Sequence, residues 1–201
     1  MPDARTGRVR VAVLISGAGS NMAALIDAAS ADDCPFEIVL VLSNRPEAGG
    51  LATAEAKGVP AAVVDHRPFG KDREAHERAV DARLRAQDVE VVALAGYMRL
   101  LTPWLVGRWA GRMLNIHPSL LPKYPGLDTH ARALAAGDPE AGCTVHLVTE
   151  GVDEGPALAR AAVPTRSDDT PASLAQRVLT AEHQLYPRAL ADFCRAQMRS
   201  L

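Results

Sequence analysis

The chain has 201 residues, enough for one α/β domain with a core of its own and short for two. A net charge of -2 argues against broad nucleic-acid contact, which normally needs a strongly basic face. The sequence has no apolar run near the ~20 residues of a membrane span, and the polar residues 1–8 lack the apolar stretch of a signal peptide. Its three cysteines are far apart, which is typical of reduced thiols. We therefore expect a cytoplasmic protein without nucleic-acid or membrane partners.

The first predicted strand, Val9–Ile15, runs through Ser16 into the glycine-rich turn 17–21, and a helical pattern follows. Glycines let the backbone approach a phosphate, and the positive end of the helix faces the anion. A dinucleotide site is the rival interpretation. Against it, Met22 occupies the third glycine position of that motif, and the next strand, 38–42, ends without a carboxylate for a ribose. A plain strand-to-helix turn remains open as well.

Further strands and helices alternate along the chain. The pattern predicts helices at 49–57, 72–87, from Thr102-Pro103 through Trp109, at 128–136 and from Thr170 onward, and strands at 61–64, 90–96, 143–148 and 157–163, with 65–70 as a loop. This alternation predicts an α/β doubly wound fold with a mainly parallel sheet and helices on both faces. We expect one domain over 1–201: a tail at about 1–8, a Rossmann-like, phosphate-binding half at 9–100 and a catalytic half at 101–201. Pro187 should bend the last helix.

The most informative stretch is Asn115-Ile116-His117-Pro118-Ser119-Leu120-Leu121-Pro122, continuing as Lys123-Tyr124-Pro125-Gly126. In an extended segment, Asn115 and His117 project to the same side and can converge on one reacting atom. A neutral amide donor and an imidazole suit addition to a carbonyl group, where one stabilises the oxyanion and the other moves the proton. Two turn-forming residues after a strand are the alternative.

This stretch resembles the signature of enzymes that transfer or release the formyl group of 10-formyltetrahydrofolate. The longer run is most similar to the phosphoribosylglycinamide formyltransferase family of purine synthesis. The resemblance extends from Leu14 to about Pro187, with the motifs in order. It implies transfer of the formyl group to the amine of glycinamide ribonucleotide, with 10-formyltetrahydrofolate as co-substrate, no metal, and a monomer or homodimer.

The resemblance also assigns roles to residues. As catalytic residues it implies Asn115, His117 and Asp153, the aspartate raising the pKa of the histidine. For the ribonucleotide it implies Gly19, Ser20, Asn21 and Glu182, and for the folate Arg73, Met98, Arg99, Leu100, Leu101 and Asn115. The sequence alone, without the resemblance, favours a surface residue at Arg73 and a turn residue at Asp153. His146 is interpreted as structural and stays outside the set.

Three rivals remain. Methionyl-tRNA formyltransferase carries an extra C-terminal domain, and a formyltetrahydrofolate hydrolase usually carries an N-terminal regulatory domain, so both are expected to need a longer chain. The third rival is a nucleotide-binding module or a dehydrogenase that shares only the fold. This rival assigns no role to Asn115, His117 and Asp153.

Overall fold

The computed structural model describes residues 7–199, so residues 1–6 of the predicted tail lie outside the described part. The elements in chain order are β1 (Val9–Ile15), α1 (Ser20–Ala29), β2 (Phe36–Ser43), α2 (Gly49–Ala56), β3 (Ala61–Val63), a 3-10 turn (Arg67–Phe69), α3 (Arg73–Ala86), β4 (Val91–Leu94), α4 (Pro103–Arg108), β5 (Met113–His117), α5 (Thr129–Ala135), β6 (Glu140–Leu147), β7 (Ala157–Pro164) and α6 (Pro171–Arg199). Several bounds differ from the prediction. The loop 65–70 contains the 3-10 turn, Trp109 caps α4 instead of lying within it, β4 ends at Leu94 instead of residue 96, and β6 begins at Glu140 instead of residue 143.

The strands form one seven-stranded sheet in the order β3-β2-β1-β4-β5-β6-β7. The pairs from β3 through β5 are parallel, whereas β6 and β7 join antiparallel at one edge. The reversal of strand order beside β1 is the switch point where open α/β sheets bind ligands. The predicted α/β, mainly parallel fold is confirmed. Among the described residues, no helix is long and apolar enough to cross a membrane.

Side chains that alternate along the strands supply two cores, one on each face of the sheet. Val13 and Leu114 point to the face covered by α1, α2, α5 and α6, while Leu14 and Met113 point to the face covered by α3 and α4. Strands buried on both faces read as continuous apolar runs, which is why β1 and β4 contain little but Val, Ala, Leu and Ile. The two cores hold the carboxyl edge of the sheet in place.

Helix α6 attaches the C-terminal part of the chain to the centre of the sheet. Leu174, Val178 and Leu185 are buried as their helical spacing predicts, and the helix continues past Pro187. The hydroxyl of the fully buried Tyr186 donates to the carbonyl oxygen of Leu94, 3.0 Å away, and lies 3.3 Å from that of Leu114. This side chain therefore bridges the end of β4 and the beginning of β5.

We predict that Tyr186→Phe lowers the free energy of unfolding by about 1 kcal/mol, because it removes one buried hydrogen bond and keeps the ring. Urea denaturation followed by circular dichroism measures the change. An unchanged denaturation midpoint would show that the hydroxyl contributes nothing to stability.

Candidate active site

Asn115 and His117 lie on the same face of β5, two residues apart, as their spacing predicts. Asn115 is half-buried, and only 5% of His117 is exposed. In the sheet register Asn115 sits between Leu94 of β4 and His146 of β6. The antiparallel neighbour thus brings a second histidine to the same face.

The carboxylate of Asp153 joins three segments of the chain. Its Oδ2 lies 3.2 Å from Nδ1 of His117 and accepts the backbone N–H of Gly126 at 2.9 Å. Its Oδ1 lies 3.5 Å from Nε2 of His146. Asp153 itself has a φ of 56°, in the left-handed region that aspartate tolerates better than most residues. The predicted catalytic aspartate is therefore in direct reach of the predicted catalytic histidine.

Two opposing effects act on the pKa of Asp153. Burial alone would raise it, but the His146 side chain, the Gly126 N–H and the charge of His117 outweigh burial and hold the pKa below its usual range. The carboxylate is consequently ionised at neutral pH, which is the form that attracts imidazolium protons.

Both ring nitrogens of His117 face hydrogen-bond acceptors. Nδ1 faces Asp153, and Nε2 lies 2.9 Å from the carbonyl oxygen of Tyr124. An imidazolium, which donates from both nitrogens, satisfies the two acceptors at once. In this conformation, however, no ring N–H points at a substrate. The expected convergence of His117 with Asn115 on one reacting atom thus requires Nε2 to leave the Tyr124 carbonyl.

His146 is the site residue that the sequence interpretation left out. Its Nδ1 lies 2.9 Å from the Leu147 carbonyl oxygen, and its Nε2 lies 3.3 Å from the Asn115 amide nitrogen. Nε2 of His146 therefore faces both the Asn115 amide and Oδ1 of Asp153. The Asn115 amide has two N–H groups, so the second one stays available. The only sequence signal would have been the antiparallel pairing of β5 with β6.

The predicted phosphate turn is tightly packed. Gly19 has a φ of 72°, and a Cβ there would lie 2.9 Å from Cε of Met22. Gly50, at the start of α2, supports the turn by donating its N–H to the carbonyl oxygen of Gly17, and a Cβ on it would lie 2.5 Å from Cδ1 of Ile15. Ser20 is exposed at the first position of α1, where backbone N–H groups lack helical partners. Position 50 therefore also requires glycine, which the motif at residues 17–21 did not indicate.

Asn21 and Glu182 meet although 161 positions separate them. The Asn21 amide donates to Oε2 of Glu182 at 2.6 Å, and both residues are buried. Burial raises the pKa of Glu182, which the hydrogen bond from Asn21 partly opposes. Oδ1 of Asn21 is buried and has no hydrogen-bond partner in the described part of the chain, so it remains available as an acceptor for a ligand donor.

The predicted folate residues lie beyond the end of β4 and at the start of α3. Met98 and Leu100 are 63% and 61% exposed, which is unusual for large apolar side chains. Arg99 and Leu101 are half-buried, and Arg73 is exposed. These apolar side chains are exposed in the segment after β4, the strand that pairs with β5, and are consistent with a surface that a ligand covers.

Metal ligation finds no support in the part of the chain that the structure describes. Within residues 7–199, no group of three or more His, Cys, Asp or Glu side chains is arranged to hold a metal ion. Cys34, Cys143 and Cys194 are free and buried.

Comparisons with known proteins place this geometry in context. The Formyl transferase family profile matches residues 9–190. Over 94% of its length the chain is 42% identical to the phosphoribosylglycinamide formyltransferase of Haemophilus influenzae, of which it covers 89%. The crystal structure of phosphoribosylglycinamide formyltransferase from Brucella melitensis superposes with a TM-score of 0.89 at 57% identity, over 93% of this chain and 96% of that one.

Much longer proteins also match. The trifunctional purine biosynthetic protein adenosine-3 of Drosophila melanogaster is 51% identical over 92% of the chain. This chain spans only 14% of that protein's length, so the similarity concerns one part of it.

We predict a pH-dependent stability difference between the wild type and Asp153→Asn. A carboxylate whose pKa is lowered in the folded state stabilises the protein above its unfolded pKa of about 4, and this stabilisation disappears as pH falls through the folded value. The wild type should therefore be the more stable protein at pH 6, and the difference should shrink below about pH 4. Urea unfolding at a series of pH values measures it; a difference that grows on acidification would contradict the proposed charge of Asp153.

Proposed function

We propose, from the premise that this chain belongs to the formyl transferase family, that it formylates the amine of N1-(5-phospho-D-ribosyl)glycinamide in the de novo purine pathway. The donor is 10-formyltetrahydrofolate, and the products are the N-formyl nucleotide and tetrahydrofolate. The proposed setting is the cytoplasm, the proposed assembly a monomer or homodimer, and the proposed chemistry needs no metal.

One observation carries the mechanism: the carboxylate of Asp153 lies 3.2 Å from Nδ1 of His117, and Asn115 lies on the same face of β5 as His117. Such a carboxylate orients an imidazolium and stabilises its charge. An imidazolium and an amide are the donors that an oxyanion derived from a formyl group requires.

The reaction begins when the neutral amine attacks the formyl carbon and forms a new C–N bond. The formyl oxygen becomes an oxyanion, which accepts the free N–H of Asn115 and the Nε2–H of His117 once that proton leaves the Tyr124 carbonyl. Catalytic hydrogen bonds of this kind often form only with substrate bound. The C–N bond to the folate then breaks, and the departing nitrogen takes a proton while the amine loses one.

The remaining residues bind the two substrates. The turn with Gly19, Ser20 and Asn21 offers backbone N–H groups and the positive end of α1 to the ribose phosphate. Glu182, beside Asn21, accepts hydrogen bonds from the amine end of the nucleotide. For the folate we propose Met98, Arg99, Leu100 and Leu101, with Arg73 binding its anionic end.

The decisive experiment is an absorbance assay with 10-formyl-5,8-dideazafolate as donor, run with and without the ribonucleotide. Release of the deformylated folate only in the presence of the nucleotide supports transfer. Release without the nucleotide would instead assign hydrolysis, and no release in either reaction would leave a binding module.

We predict that Asn115→Ala lowers kcat by about 10²–10³, because the oxyanion loses one donor. The matched control is Ile116→Val, which changes the adjacent residue on the opposite face of β5, in the other core. The control should keep kcat within about twofold, since one buried methylene mainly affects stability. Equal kcat values for Asn115→Ala and wild type would remove Asn115 from the mechanism.

A further inference from the structure

Ser16 lies at the carboxyl end of β1 and has no role in the mechanism above, yet it contacts the segment after β4 twice. Its backbone N–H donates to the carbonyl oxygen of Gly96 at 3.1 Å, and its Oγ accepts the N–H of Met98 at 2.8 Å. Only 5% of Ser16 is exposed. These contacts fix the beginning of the segment that carries Met98 and Leu100.

The hydroxyl of Ser16 accepts one hydrogen bond and donates another. Because Met98 donates to it, the hydroxyl proton is left for Oδ1 of Asn44, which lies 2.6 Å away. Asn44 is 1% exposed, and Nδ1 of His66 lies 2.8 Å from its backbone carbonyl oxygen. The result is a buried chain of donors and acceptors from Met98 through Ser16 to Asn44.

The far end of the segment is also held by a buried side chain. Glu77, 3% exposed on α3, accepts the N–H of Thr102 at 2.8 Å and also contacts the Thr102 hydroxyl. Residues 96–101 contain no helix or strand between these two anchors. Exposed apolar side chains on such a segment keep one arrangement only if the backbone is fixed at its ends.

We propose that Ser16 and Asn44 are positioning residues that set the affinity for the formyl-folate without taking part in the chemistry. The inference rests on the proposed function, since it takes Met98–Leu101 as the folate-binding segment. Ser16 reaches this segment through its hydroxyl, whereas the adjoining phosphate turn depends on backbone groups that a side-chain substitution leaves unchanged. Loss of the hydroxyl should therefore affect one substrate and spare the other.

The test is steady-state kinetics of Ser16→Ala with 10-formyl-5,8-dideazafolate and the ribonucleotide. We expect the KM for the folate to rise about tenfold, since one buried hydrogen bond is lost and Met98 N–H is left unpaired. The KM for the nucleotide and kcat should stay within about twofold, because Gly19 to Asn21 and His117 keep their contacts.

Ser43→Ala is the matched control. Ser43 is also buried, at the carboxyl end of the neighbouring β2, but among residues 7–199 its hydroxyl bonds only with the backbone of Arg45. This variant should leave the KM for the folate unchanged. Asn44→Ala should raise it, and Ser16→Ala with Asn44→Ala should raise it no further than Ser16→Ala alone, because Asn44 acts through Ser16.

The outcomes separate the two proposals. A wild type that transfers the formyl group, with a Ser16→Ala variant of unchanged KM for the folate, overturns this inference alone. So does a variant whose two KM values, kcat and melting temperature all change together, since that reports a structural role. A wild type that transfers no formyl group overturns the proposed function and this inference with it. Should Ser16→Ala fail to fold, Asn44→Ala decides: a raised KM for the folate with an unchanged KM for the nucleotide supports the inference, and an unchanged KM for the folate overturns it.

Discussion

The candidate site depends on one half-buried carboxylate. Asp153 approaches His117 of β5, His146 of β6 and the N–H of Gly126, so a single negative charge holds two strands and a loop together. A buried charge is costly unless it is paired and hydrogen-bonded. His117, His146 and the N–H of Gly126 pair with the carboxylate of Asp153. Its negative charge in turn orients these three groups toward it.

The antiparallel edge of the sheet makes this arrangement possible. Parallel β1, β4 and β5 all end at one edge, which collects the glycine turn, the segment after β4 and the histidine of β5. Because β6 runs in the opposite direction, His146 lies directly beside Asn115. The segment after β6 then returns Asp153 to this face before β7 begins.

The sequence predicted the parts of the site that follow local rules. Asn115 and His117 share a face because strands alternate, and the glycine turn lies between β1 and α1 as its residues indicate. The role of His146 was missed because it comes from a pairing 31 positions away. The hydrogen bond from His117 to Tyr124 was equally hidden, since it depends on the path of an irregular loop. Non-local register and loop paths are properties of the folded chain.

The position of α6 has a consequence for local unfolding. Four positions apart on this helix, Glu182 accepts a hydrogen bond from Asn21 and Tyr186 contacts the backbone of β4 and β5. Detachment of this part of α6 would expose both strands and separate Glu182 from Asn21 in one event. Amide exchange in the middle of α6 should then share the opening free energy of β5, so that helix and strand form one cooperative unit. Ligand binding at Glu182 would then also raise the opening free energy of β5, the strand that carries Asn115.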